Sequence, residues 1–268
     1  MSVKVCDNAQ SITSAINAFP SSYHVGYFKC RAIGRRYLAE ATPADDLVTE
    51  LANSVRFTLK DWGAGKRGAP ALRSDGEVSN ALREPGVHSS LAALARVPLP
   101  ELTVVQRRRC LSGKPAAEAA LASFDSGLLS LLRELGNRLF VGNTNVTFPM
   151  KALLLITGFM PALDSERVRT GLERGDFPGM NRTQYLLPAD AAHADGKKIT
   201  RLPFLLGECW TTCTQQLQEG LANSSFPGLR EEPGRVFDIL LFMQGDKHKR
   251  NPILVTCDPP DRDWYELQ

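Results

Sequence analysis

The chain lacks long hydrophobic runs. Its longest, such as Ala152–Ile156, hold five residues, against the ~20 that a bilayer-crossing helix needs. A transmembrane helix is therefore excluded, and no membrane partner is expected. The first eight residues contain one lysine and no apolar core, so no secretory signal is expected and the cytoplasm is the expected compartment. Histidine is scarce, and His24, His88, His193 and His248 show no metal-ligand spacing. The six cysteines are scattered. Without a secretory route they read as reduced thiols. Cys209 and Cys213 stand four residues apart, on one helix face, but no further ligands lie near them in sequence. No metal and no other cofactor is expected.

Charge of one sign is also missing. There are 32 Lys+Arg against 29 Asp+Glu, a net charge of +3. This balance permits a nucleic-acid partner and does not require one. The nucleophile motif GxSxG and the zinc motif HExxH are absent. Gly113-Lys114 is followed by Pro115, so it is not a phosphate-binding P-loop. Gly63-Ala-Gly-Lys-Arg-Gly68 spells GxGxxG. The dinucleotide fingerprint needs a strand before it, and here a helical pattern precedes it. It reads as a basic turn, and nucleotide binding there is the least favoured function.

What remains is helical. Leu47, Leu51, Val55 and Leu59 repeat at helical spacing up to Trp62, behind Thr42 as a cap and Pro43. From Pro115, Leu121, Phe124, Leu128, Leu131, Leu132 and Leu135 form one apolar stripe. Further helices are expected over Met150–Gly158, from Asp164 through Leu172, over Phe204–Leu221 and over Gly234–Gln244. Val3–Val5 and Ile253–Val255 are candidate strands. Strands and helices do not alternate, which argues against a parallel α/β sheet. The expected fold is mainly α, with a small β element near the two ends. Two lobes are expected, 1–125 and 126–268. Two basic clusters stand out, Arg31/Arg35/Arg36 and Arg107–Arg109. Each reads either as a solvated face or as a phosphate-facing patch.

One constellation carries chemistry. An apolar helix is followed by Val141-Gly142-Asn143-Thr144-Asn145, then a second apolar helix with Lys151, then Pro161-Ala-Leu-Asp164-Ser opening another helix. Backbone N–H groups at the start of the second helix suit a phosphate. By local sequence alone, Asp164 reads as a helix cap and Lys151 as solvent-exposed.

The order and spacing resemble the helix-hairpin-helix DNA glycosylases, closest to their bacterial 8-oxoguanine-glycosylase-like branch. Arg235-Val-Phe-Asp-Ile-Leu-Leu-Phe-Met-Gln-Gly245 is similar to that branch's closing helix. The resemblance spans roughly residues 130–245. It implies a two-lobed helical glycosylase fold whose second lobe carries the hairpin, with DNA as partner and no obligate protein partner. It places Asp164 as the carboxylate that stabilises a cationic sugar, and Lys151 where bifunctional members carry the amine that attacks it. The hairpin turn, with Gly142, Asn143 and Asn145, would meet the DNA backbone. Here one glycine stands in that turn, and Asn143 and Asn145 are candidates for left-handed positions in place of glycine. Arg107, Arg108 and Arg109 are further candidate DNA contacts. Phe204, Trp210 and Tyr185 are aromatic candidates for a base pocket, with core packing as their other reading. The implied activity is excision of a modified base, an oxidised purine by default. Relatives of the branch suggest a second use, removal of a bulky phage-specific base in antiviral defence. The rival reading is a non-catalytic helical DNA-binding or interaction module that keeps the fold without the chemistry.

Overall fold

The computed structural model describes residues 2–6, 8–66, 68–143, 145–164, 166–180, 186–246, 251–256 and 264–268. Arg67, Thr144, Ser165, Tyr185, His248 and Cys257 lie outside the described residues, so the expectations placed on them are not addressed.

The molecule is mainly α. Its helices are α1 (Ala9–Ala18), α2 (Ser21–Ala39), α3 (Asp45–Asp61), α4 (Asp75–Arg83), α5 (Pro85–Ala95), α6 (Glu118–Leu139), α7 (Thr147–Thr157), α8 (Val168–Arg174), α9 (Ala194–Thr212), α10 (Thr214–Ala222) and α11 (Pro233–Gln244). Three small antiparallel sheets decorate them. β1 (Val3–Val5) pairs with β7 (Leu254–Thr256). β2 (Ala71–Leu72) pairs with β6 (Phe140–Val141). β3 (Leu102–Val105), β4 (Arg108–Leu111) and β5 (Lys114–Pro115) form the third. The β element near the two ends is thus present as β1–β7. No helix among the described residues is long and apolar enough to cross a membrane.

The core is organised around α7. Its sequence, TFPMKALLLIT, is apolar all round, the composition of a helix surrounded by others. It packs against α2, α3, α5 and α6. Ten of its eleven residues are buried, and the exception is Lys151. Leu153, Leu154, Leu155 and Ile156 are fully buried, each contributing roughly 1.5–3 kcal/mol through apolar burial. The apolar stripe of α6 lies on the same core through Leu128, Leu131, Leu132 and Leu135.

Several boundaries differ from the sequence reading. α3 starts at Asp45 with Ala44 in the cap position, so Thr42 caps nothing. α6 starts at Glu118, and Pro115 belongs to β5. The single helix expected over Phe204–Leu221 is two helices divided at Cys213, and α9 begins ten residues before Phe204 with Pro203 inside it. The division expected at 125/126 falls inside α6. β1 and α1 pack against β7, α10 and α11, so the two ends of the chain close one structure together.

Candidate active site

The turn after β6 sets the start of α7. Gly142 adopts φ +62°, where a side chain would be strained. Asn143 and Asn145 do not take left-handed positions; they work through their amides. Asn143 Oδ1 accepts the Asn145 N–H at 3.0 Å, and Asn143 Nδ2 donates to Asn145 O. Asn145 Oδ1 then accepts the Thr147 N–H at 2.8 Å, satisfying one orphan donor of α7. Thr147 Oγ1 donates to Leu163 O at 3.0 Å, which ties the first turn of α7 to the segment carrying Asp164.

α7 ends at Gly158, in the left-handed conformation with φ +70°. The chain then runs buried through Phe159, Met160, Ala162 and Leu163. Asp164 Oδ1 accepts the N–H groups of Glu166 and Arg167 at 3.1 and 3.0 Å, heading the turn into α8. Its other oxygen, Oδ2, lies 3.4 Å from Lys151 Nζ. Burial alone would raise the Asp164 carboxyl. The Lys151 ammonium and the two N–H donors outweigh it, and the net shift is downward. Asp164 is therefore an ionised carboxylate at neutral pH.

Lys151 is held from three sides. Besides Asp164, Nζ donates to Trp62 O at 3.2 Å and lies 4.8 Å from the centre of the Phe148 ring. Trp62 is the C-cap of α3, where the helix dipole favours a cation.

Two cavities meet at this pair, and both are bordered by Tyr23, Trp62, Lys151, Asp164 and Glu166. The first holds about 240 Å³ and has aromatic walls from Phe19, Tyr23, Trp62 and Phe242, with Arg235 and Asp238 also lining it. The second holds about 720 Å³ and is rimmed by Lys66 and Gly68 of the glycine-rich turn and by Gly142, Asn143 and Asn145 of the hairpin. The β2–β6 ladder joins these two rims. Gly63, Lys66 and Gly68 of the glycine-rich turn thus line the larger cavity together with the hairpin residues.

Arg235 is fully buried. Its guanidinium lies 4.9, 5.0 and 4.9 Å from the ring centres of Phe19, Tyr27 and Trp62, and Nη1 donates to Asp238 Oδ2 at 2.5 Å. Burial pushes the Asp238 carboxyl up, against the pull of Arg235 and of the Ala162 N–H that it accepts.

The other candidates are elsewhere. Arg107 and Arg108 are exposed at the β3–β4 turn, where Gln106 and Arg107 have φ +50° and +64°. Arg109 points inward and is 4% exposed. Its two Nη atoms bind both oxygens of Asp125 at 2.5 and 3.1 Å, and Arg201 Nη1 reaches the same carboxylate at 2.9 Å. Arg109 is a buried ion-pair residue, with both Nη atoms committed to Asp125, while Arg108 beside it is exposed. Arg31 and Arg35 bind Glu232 at 3.1 and 2.7 Å, and Arg36 binds Glu50 at 3.0 Å. That cluster serves ion pairs rather than a phosphate patch.

Phe204 and Trp210 do not line either cavity beside Lys151. Phe204 packs under Arg109 and against Phe124, and Trp210 packs on Phe237. The aromatic walls come instead from α1–α3 and α11, which sequence reasoning missed. One signal was there: Arg235 and Asp238, three apart, interrupt an otherwise apolar helix. Comparison with protein-family models, curated proteins and solved structures finds no match for this chain.

Proposed function

We propose that the protein is a DNA glycosylase that flips a modified base out of the duplex and hydrolyses its bond to the sugar. The observation that carries this reading is the Lys151–Asp164 pair. It is the single polar window in a helix otherwise buried on every side, and it lies where two cavities meet. An aromatic-walled space suits a planar base taken out of the stack. The wider space, rimmed by the hairpin and Lys66, suits the sugar and the backbone on either side.

In this mechanism the C1′–N bond breaks and its electron pair leaves with the base. Positive charge develops on the sugar, and the ionised Asp164 stabilises it. Water adds at C1′ and gives up a proton, the base takes a proton, and an abasic site remains. Lys151 orients Asp164 through their ion pair. A Schiff-base step at Lys151 would leave an adduct that borohydride traps, and we expect none. The proposal covers oxidised purines and, as a second substrate class, a bulky modified base excised from phage DNA in defence, whose substituent would extend from the aromatic cavity past Lys151 and Asp164. The enzyme would act in the cytoplasm without an obligate protein partner.

One observation favours the rival, a DNA-binding module without chemistry: Asp164 Oδ1 already caps the turn into α8. The deciding experiment is incubation with duplexes carrying different modified bases, scored for abasic sites beside a binding assay on the same DNAs. We expect abasic sites on at least one substrate. Binding without any release would leave the module, and no binding at any salt concentration would remove DNA from the account.

A further inference from the structure

The loop that carries Asp164 touches α11 at two points. The first is steric. A Cβ on Gly234 would lie 2.3 Å from Gly158 O and 2.8 Å from Met160 N, so the backbones of the loop and of α11 are in direct contact. The second is polar. Asp238 Oδ1 accepts the Ala162 N–H at 3.0 Å, in a buried setting. Two residues on, Asp164 N donates back to Ala162 O at 2.7 Å. The position of the Asp164 backbone therefore follows that of Ala162, and Ala162 is held by Asp238.

Asp238 is itself held. Its Oδ2 is bound by Arg235, whose guanidinium is enclosed by three aromatic rings and also donates to Tyr23 O at 3.4 Å. Arg235 and Asp238 both line the aromatic cavity that Asp164 borders. A carboxylate aimed at a developing charge must be placed to within a fraction of an ångström, because a displacement of about 1 Å can lower a rate ~10²-fold. A buried ion pair is a poor source of stability, and in some proteins such pairs serve to specify a unique geometry.

We infer that Asp238 is a positioning residue for Asp164: it fixes the Ala162 amide, and through it the catalytic carboxylate, while Arg235 and its aromatic enclosure fix Asp238. The part of this inference that concerns rate rests on the glycosylase reading; the part that concerns geometry does not.

The test uses two double variants of the full chain. Arg235→Met with Asp238→Asn removes both charges and keeps an acceptor oxygen for the Ala162 N–H. Arg235→Met with Asp238→Leu removes the charges and the acceptor. Both replace an ion pair with uncharged groups of similar volume, a change that folds commonly tolerate. We expect the two to melt within a few degrees of each other and to bind DNA alike. The Leu variant should release base ~10²-fold more slowly than the Asn variant. In hydrogen exchange, the Ala162 amide should stay protected in the Asn variant and lose protection in the Leu variant. Equal release rates would overturn the positioning role. Equal protection of Ala162 would overturn it too, even if the unchanged protein released no base from any DNA. That last result would remove the glycosylase reading and leave the geometric inference to the exchange data alone.

Discussion

Two buried ion pairs in this molecule look alike on paper and differ in what surrounds them. Arg109 and Asp125 are bound through two parallel hydrogen bonds, with side chains 5% exposed on each side, and Arg201 closes the remaining approach. Lys151 and Asp164 are joined by one contact of 3.4 Å, with side chains 13% and 23% exposed, and they border two cavities. The first pair also borders a cavity, of about 520 Å³, but both oxygens of its carboxylate are already held by guanidinium groups. The second pair is loose, off-centre and open to two spaces of different chemistry. Asp164 keeps one oxygen for backbone donors and turns the other toward the cation and the cavities. In the first pair both carboxylate oxygens are held by guanidinium groups; in the second, Oδ2 meets the lysine at 3.4 Å, and the proposed chemistry is placed there.

The largest effect should come from Asp164→Asn. Asn is also a good cap, so folding and DNA binding should survive. Base release should fall by three orders of magnitude or more, measured as abasic sites under single-turnover conditions. Release close to that of the unchanged protein would reduce Asp164 to a cap and erase the contrast between the two pairs.

The converse change is Asp125→Ala. It leaves Arg109 and Arg201 facing each other without their shared carboxylate, a loss of about 3–5 kcal/mol. The melting temperature should drop by on the order of 10 °C. Release per folded molecule should stay unchanged, since Asp125 lines neither of the two cavities beside Asp164.

These contrasts were only partly legible in the sequence. The spacing of Leu47, Leu51, Val55 and Leu59 and the stripe on α6 report burial on one face, and both helices formed as expected. α7 was visible as an apolar run. That Lys151 is its only opening depends on four neighbouring helices, which spacing along one chain does not encode. α1 and α2 escaped because their polar and apolar residues are mixed; buried Tyr27, Cys30 and Tyr37 share α2 with the ion-pairing Arg31 and Arg35. The β3–β4 turn escaped because its left-handed positions are filled by Gln106 and Arg107, with no glycine to mark it. Arg107-Arg108-Arg109 read as one patch, and the pairing of Arg109 with buried Asp125 removes it from the other two. Lys151 and Asp164 could be paired only through the resemblance; their contact is a matter of how the 158–164 loop returns over α7.

A pH series sharpens the contrast. The folded Asp164 carboxyl titrates below its ordinary range. The stability that its ionised form provides is therefore complete above the ordinary carboxylate range and is lost as pH falls through the lowered folded value. Release should run flat from neutral pH down to about pH 5, near the top of the ordinary carboxylate range, and decline only at lower pH. A decline already near pH 6 would mean that another group limits the reaction.

The smallest effect distinguishes the rims. Arg108→Ala, at the exposed turn remote from both cavities, should leave the salt dependence of DNA binding unchanged. Lys66→Ala, on the rim of the larger cavity, should flatten the log–log slope by about 0.9, the loss of one phosphate contact. A change for Arg108 and none for Lys66 would move the DNA path away from the proposed site.

The β1–β7 ladder sets a timetable for the nascent chain. Val3 pairs with Thr256 and Val5 with Leu254, so strands roughly 250 residues apart in synthesis must meet. At about 5–20 residues per second, β1 waits on the order of tens of seconds for β7 to be translated. Its neighbour α1 waits almost as long for α10 and α11. During that interval Val3, Val5, Ile12 and Ile16, all buried in the finished fold, have no native surface to cover them. Residues 3–16 are thus among the last of this fold to be sheltered, and until α10, α11 and β7 are made they are open to chaperones and proteases.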